Sequence, residues 1–149
     1  MRRSLRGLLD VEDDIEVIGE ADNLESVEHE VRLSRPDVLV LDLDTHDGGT
    51  GIQSIGRLRE LGPETMIVGL TMQDDPAFAR HALTAGATGF VSKDIADAEL
   101  VQAIRAAARG EQFVSARITE RLDARGKRPV GVSMFLAPWH RLVLFHVSM

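Results

Sequence analysis

The sequence predicts an α/β domain built on a doubly wound parallel sheet, on three observations. Short apolar runs at 38–41, 66–70 and 88–92 alternate with segments whose apolar residues recur at helical spacing, the pattern of successive βα units. The first two runs are continuous rather than alternating, as in strands covered on both faces. Each of the three gives way to a residue able to do chemistry: Asp42, Thr71 and Lys93. Strand ends of a parallel sheet share one edge, so a carboxylate, a hydroxyl and an ammonium can converge there.

Taken in order, Leu5, Leu8 and Leu9 give a short amphipathic helical pattern with no strand before it. After the acidic turn Glu12-Asp13-Asp14, residues 15–21 partly alternate apolar and polar, as an edge strand does. Asp22 or Asn23 caps a helix expected to turn Leu24, Val27, Val31, His29 and Leu33 inward. Pro36 stops that helix and introduces the central run. Ile52, Ile55, Leu58 and Leu61 carry the next helix, closed by Gly62-Pro63, and Met66 to Thr71 forms the second buried strand. Asp74-Asp75-Pro76 starts a helix with Phe78, Ala82 and Leu83 inward, and Gly86 ends it. A short strand then delivers Lys93, and a helix over 98–109 follows, with Leu100, Val101 and Ile104 inward and Gly110 as its stop. Two regions are expected: a domain over 1–122 and an atypical tail over 123–149, of the character a frameshift or read-through leaves.

Composition narrows the function classes. A chain of 149 residues suits one domain with a real core. It has no cysteine, which excludes disulfides and thiolate metal sites and favours an intracellular protein. No apolar run approaches the roughly 18 residues of a membrane span, so a cytoplasmic protein is expected. A net charge of -7 speaks against a broad nucleic-acid footprint. Only Lys93 and Lys127 are lysines among the basic residues, so Lys93 invites an explanation specific to its chemistry.

Burying the Asp42 carboxylate unpaired is costly, so it is expected to surface at the carboxyl end of its strand. Singly, the three polar residues have plain explanations: a turn aspartate, a β-favouring threonine, an exposed lysine. Together at three successive strand ends they are much less expected by chance. At this point Pro36-Asp37-Val38-Leu39-Val40-Leu41-Asp42-Leu43, Ile67-Val68-Gly69-Leu70-Thr71 and Ala85-Gly86-Ala87-Thr88-Gly89-Phe90-Val91-Ser92-Lys93-Asp94 resemble the three motif strands of a response regulator receiver domain. Residues 103–111 are similar to the end of the last helix in receivers of the LuxR/NarL type, and the resemblance covers residue 5 to about 122.

The resemblance implies a flavodoxin-like receiver fold, incomplete at its N-terminus. It implies that Asp42 accepts a phosphoryl group from a histidine kinase, with Lys93 and Thr71 contacting the phosphoryl oxygens. Thr71 and Phe90 would form the switch, Phe90 rotating inward as Thr71 moves. It implies Mg²⁺ as well, held by Asp42 and the backbone carbonyl of Asp44, but the family's acidic pair is absent from this sequence. Glu12, Asp13 and Asp14 fall at the wrong end of the layer to replace it, and Thr45-His46 stands where the family has a Met-Pro pair.

The strand that carries the acidic pair is itself missing, which would leave two unpaired edges in the middle of the sheet. The apolar segment 141–147 of the tail, a partner chain, or a rearranged sheet could fill the slot. No pair of amphipathic helices with a basic recognition helix follows Leu122, so direct DNA binding from this chain is not expected; a homodimer or protein partner is. The competing reading is a degenerate, phosphorylation-independent receiver that binds protein, or a truncated product. An enzyme ranks lower, since the sequence has neither a Gly-x-Ser-x-Gly elbow nor a phosphate-binding glycine loop.

Overall fold

In the computed structural model, residues 7–9, 11–21, 24–44, 52–72, 76–115 and 140–145 are described, with 97 and 140–145 described at the main chain. The strands are β1 (Ile15–Ala21), β2 (Val38–Asp42), β3 (Met66–Thr71), β4 (Gly89–Ser92), β5 (Phe113–Val114) and β6 (His140–Phe145). The helices are α1 (Leu24–Ser34), α2 (Ile52–Leu61), α3 (Pro76–Ala85) and α4 (Ala96–Ala108), the last entered through a 3₁₀ turn at Lys93–Ile95. Residues 7–9 are also helical.

One parallel sheet runs in the order β1-β6-β2-β3-β4-β5, with β1 on an edge as its partial alternation predicts. The tail supplies a strand in the middle of the sheet. β6 lies between β1 and β2, pairing Leu142 with both Val17 and Val38, and Phe145 with both Ala21 and Leu41. Both inner edges thereby gain ladder partners. Of the three ways to fill the slot, the described strand is the tail itself; residues 146 and 147 of that segment lie outside the described residues. β5 went unread in the sequence because two residues are too few to show a period. The helical turn anticipated near Leu122 lies outside the described residues.

Alternate residues of β2 feed two cores, as the pleat requires. Leu39 and Leu41 join Val27, Val31, Ile55, Leu58, Ala79, Ala82 and Phe90 under α1, α2 and α3. Val38 and Val40 join Leu9, Val68, Leu70, Val91, Leu100 and Ile104 against α4. Helices on both faces explain why β2 is buried at every position. Two residues of α1 depart from expectation: Leu33 is 69% exposed and His29 is exposed. Each lies two positions, about 200° of helical turn, beyond a buried valine, Val31 or Val27, and so faces away from the core. Gly86 and Gly110, which end α3 and α4, have φ of 125° and 77°, where a side chain is strained. Arg105 of α4 reaches Glu12 (2.6 Å) and Asp14 (2.8 Å), fastening the helix to the turn before β1.

Candidate functional site

The carboxyl ends of β2, β3 and β4 are brought level by their register. Asp42 pairs with Leu70 and Thr71 with Ser92, and the ladder continues one step past β2 through a bond from the Leu43 amide to the Leu70 carbonyl (2.8 Å). Gly69 leaves room for the Leu43 side chain beside this ladder, since a Cβ there would stand 2.6 Å from Leu43 Cδ1. Ser92 ends β4 and accepts a hydrogen bond from the Asp94 amide (3.4 Å), turning the chain into the 3₁₀ helix at the point where Lys93 emerges.

These elements place Lys93 Nζ 2.9 Å from Asp42 Oδ2. The expectation that Asp42 surfaces is corrected: it sits at the predicted strand end but has no exposed surface. A buried carboxylate is tolerable when paired and hydrogen-bonded, and both conditions hold here. Lys93 supplies the opposite charge, its own side chain 7% exposed, and the Asp44 amide donates to Asp42 Oδ1 (2.9 Å).

Thr71 joins the cluster through Asp44. Its hydroxyl donates to Asp44 Oδ1 (2.6 Å), the Met72 amide donates to Asp44 Oδ2 (2.8 Å), and Lys93 Nζ lies 3.2 Å from that same oxygen. Asp44 was expected only at a metal, through its backbone carbonyl or a lent side chain; in the structure its side chain is the hub of the site. The signal was available: a carboxylate two residues beyond a strand-end aspartate is within reach of the same rim. Phe90, one strand over, has no exposed surface and packs edge-on against Phe78 with ring centroids 5.9 Å apart. Loop residues Thr45 and His46 lie outside the described residues.

Mg²⁺ asks for several oxygen ligands at near-octahedral geometry. Among the described residues no group of three or more acidic or histidine side chains is placed to hold a metal. The two carboxylates that are present direct their oxygens to Lys93, Thr71 and two backbone amides. The described residues therefore do not fit the ion that the family resemblance implies. Glu12 and Asp14 are committed to Arg105. Arg105 has its pKa pushed upward, chiefly by the hydrogen bond to Asp14 and against the cost of burial. A cleft lined by Val31, Arg35, Asp37, Gly62 and Glu64 sits at the other end of β2 and β3, away from this cluster.

A buried aspartate, a lysine and a threonine thus share one rim of a six-stranded parallel sheet. Residues 1–105 match the family model described as the response regulator receiver domain. The oxygen regulatory protein NreC of Staphylococcus epidermidis is 34% identical over 122 residues, covering 82% of this chain and 56% of NreC. The chain thus spans little more than half the length of such curated relatives. A LuxR-family two-component response regulator from Aurantimonas sp. SI85-9A1 superposes with a TM-score of 0.76 at 32% identity, covering 84% of this chain and 89% of that one. The isolated REC domain of RcsB from Salmonella enterica serovar Typhimurium, in its apo form, gives a TM-score of 0.69 at 27% identity over 82% and 90% of the two chains. RcsB has also been solved in complex with DNA, where the match covers 82% of this chain and 61% of that one. No helix among the described residues is long and apolar enough to cross a membrane. The chain belongs to the response regulator receiver domain family, of the NarL/LuxR type.

Proposed function

We propose that this chain is a two-component receiver module in which Asp42 is the phosphoacceptor, Lys93 and Thr71 bind the transferred group, and Thr71 with Phe90 carries the response to a protein surface. The observation that supports it most is the 2.9 Å pairing of Lys93 with Asp42, two residues 51 positions apart that no local folding rule would join. In the proposed step an Asp42 carboxylate oxygen attacks phosphorus and forms an acyl-phosphate O–P bond. The P–N bond of a histidine kinase's phosphohistidine breaks, and the electron pair leaves with the imidazole nitrogen. Lys93 then balances negative charge on the phosphoryl oxygens, and the Thr71 hydroxyl donates to one of them.

Transfer is expected to be impaired, because among the described residues no set of carboxylates is placed to hold the Mg²⁺ that the family resemblance implies. The partners proposed are a histidine kinase or small phosphodonor and, through the response, a protein surface that includes a second copy of this chain. DNA contact is not part of the proposal. The role is that of a phosphorylated acceptor in the cytoplasm and not of an enzyme. Incubation with a small phosphodonor and intact mass measurement tests the reading. A weak phosphate adduct that disappears in Asp42→Asn is expected; an adduct of equal yield in Asp42→Asn would overturn Asp42 as acceptor.

A second reading, a phosphorylation-independent binding module, is favoured by one observation: the donors meant for the phosphoryl group are already engaged by Asp44.

A further inference from the structure

Thr71 Oγ1, Met72 N and Lys93 Nζ converge on a single anion, and that anion belongs to the chain itself. Asp44 Oδ1 accepts from Thr71 at 2.6 Å, while Oδ2 accepts from Met72 at 2.8 Å and lies 3.2 Å from Lys93. The Asp44 amide meanwhile holds Asp42 Oδ1 at 2.9 Å, so one residue grips the acceptor with its main chain and the surrounding donors with its side chain. We infer that the Asp44 carboxylate is a built-in occupant of the pocket that a phosphoryl group on Asp42 would fill, keeping the Thr71–Phe90 switch engaged without phosphorylation. The inference rests on the reading of Asp42, Lys93 and Thr71 given above and adds a regulation to that site.

Three observations carry it. A carboxylate has the charge sign and the acceptor oxygens to satisfy these three donors, though with one negative charge where a phosphoryl group brings about two. Asp42 has no exposed surface, and both the Asp44 amide and the Lys93 ammonium that Asp44 shares lie against its carboxylate. Phe90 is fully buried against Phe78, and Thr71 is fully buried with its hydroxyl held by Asp44. Phosphorylation would exchange one anion for another on the same three donors, and the surface that reads the switch would change little. Asp44 is a positioning residue in this account: it acts on Thr71, Met72 and Lys93 and takes no part in bond making.

Amide exchange followed by NMR on the full chain, combined with phosphodonor labelling, tests this. In Asp44→Ala the Met72 amide is expected to exchange about tenfold faster or more, the loss of one charge-assisted hydrogen bond, with an intermediate effect in Asp44→Asn, which keeps an acceptor oxygen. Amides of Val68 and Leu70 serve as internal controls for the sheet, and Asp44→Asn keeps the test open should the alanine variant fold poorly. Phosphate adduct on Asp44→Ala is expected to rise about tenfold or more over the unmodified chain and to vanish in the Asp42→Asn/Asp44→Ala double variant. A Met72 amide indifferent to both substitutions, or equal labelling with and without Asp44, would overturn the inference. A released Met72 amide with no adduct in any variant supports the internal contact and counts against Asp42 as a phosphoacceptor, so the two readings fail separately.

Discussion

Two clusters in this molecule have the same composition, one cation and two carboxylates, and opposite characters. At the carboxyl rim Lys93 serves Asp42 and Asp44, with side-chain exposures of 7%, 1% and 24%. Between α4 and the turn before β1, Arg105 serves Glu12 and Asp14, with exposures of 36%, 29% and 29%. The Arg105 fork spends separate N–H groups on each partner, three bonds in all, and closes a gap between distant parts of the chain. Lys93 is a point charge divided between two acids and reaches one oxygen of each, so the other carboxylate oxygens need further donors. Those donors are Thr71 and two backbone amides, which makes the rim a place where removing or adding one charge changes several bonds at once. The more exposed cluster joins distant parts of the chain, whereas the buried one gathers its bonds at a single rim.

The largest expected effect breaks the buried cluster. Lys93→Met leaves Asp42 without its counter-charge in a fully buried position, and a loss of about 3–5 kcal/mol in urea-unfolding stability at neutral pH is expected. A loss under about 1 kcal/mol, the range of exposed pairs, would mean that the two clusters do not differ in kind. Gly69→Ala attacks the same rim through packing. The added Cβ meets Leu43 Cδ1 at 2.6 Å, and a cost of about 1–3 kcal/mol by the same measurement is expected.

Arg105→Gln tests the other side of the comparison. It should lower stability by no more than about 1 kcal/mol, and the difference should shrink as salt is raised, because the partners are partly solvated. The smallest effect belongs to Arg57→Ala. Arg57 donates to Glu28 at 2.6 Å with 60% of its side chain exposed, and its substitution should leave the urea midpoint unchanged within error.

Much of the site was legible in the sequence because it is local in pattern. Asp42, Thr71 and Lys93 each end an apolar run, and a parallel sheet aligns such ends without further information. What was illegible depends on partners far away in the chain. Asp42 was expected at the surface because an unpaired buried carboxylate is costly; the convergence with Lys93 was legible, whereas the complete burial of the pair was not. Leu33 and His29 were assigned inward because apolar or aromatic character was counted without fixing the helical phase that Val27 and Val31 set. The Arg105 cluster joins residues more than ninety positions apart, and β6 reaches its slot from the far end of the chain, so neither leaves a local trace beyond β6's apolar run. Asp44 was legible in position and not in role, since the direction of its carboxylate is decided only once Thr71, Met72 and Lys93 surround it.

The most direct test of the central claim is to find where a phosphoryl group attaches. The Asp44→Ala chain, treated with a small phosphodonor and then with borohydride, which reduces an acyl phosphate to an alcohol, can be digested and the converted residue located by tandem mass spectrometry. Conversion of Asp42 to homoserine is the result this account predicts; conversion at another aspartate or glutamate, with Asp42 intact, would contradict it.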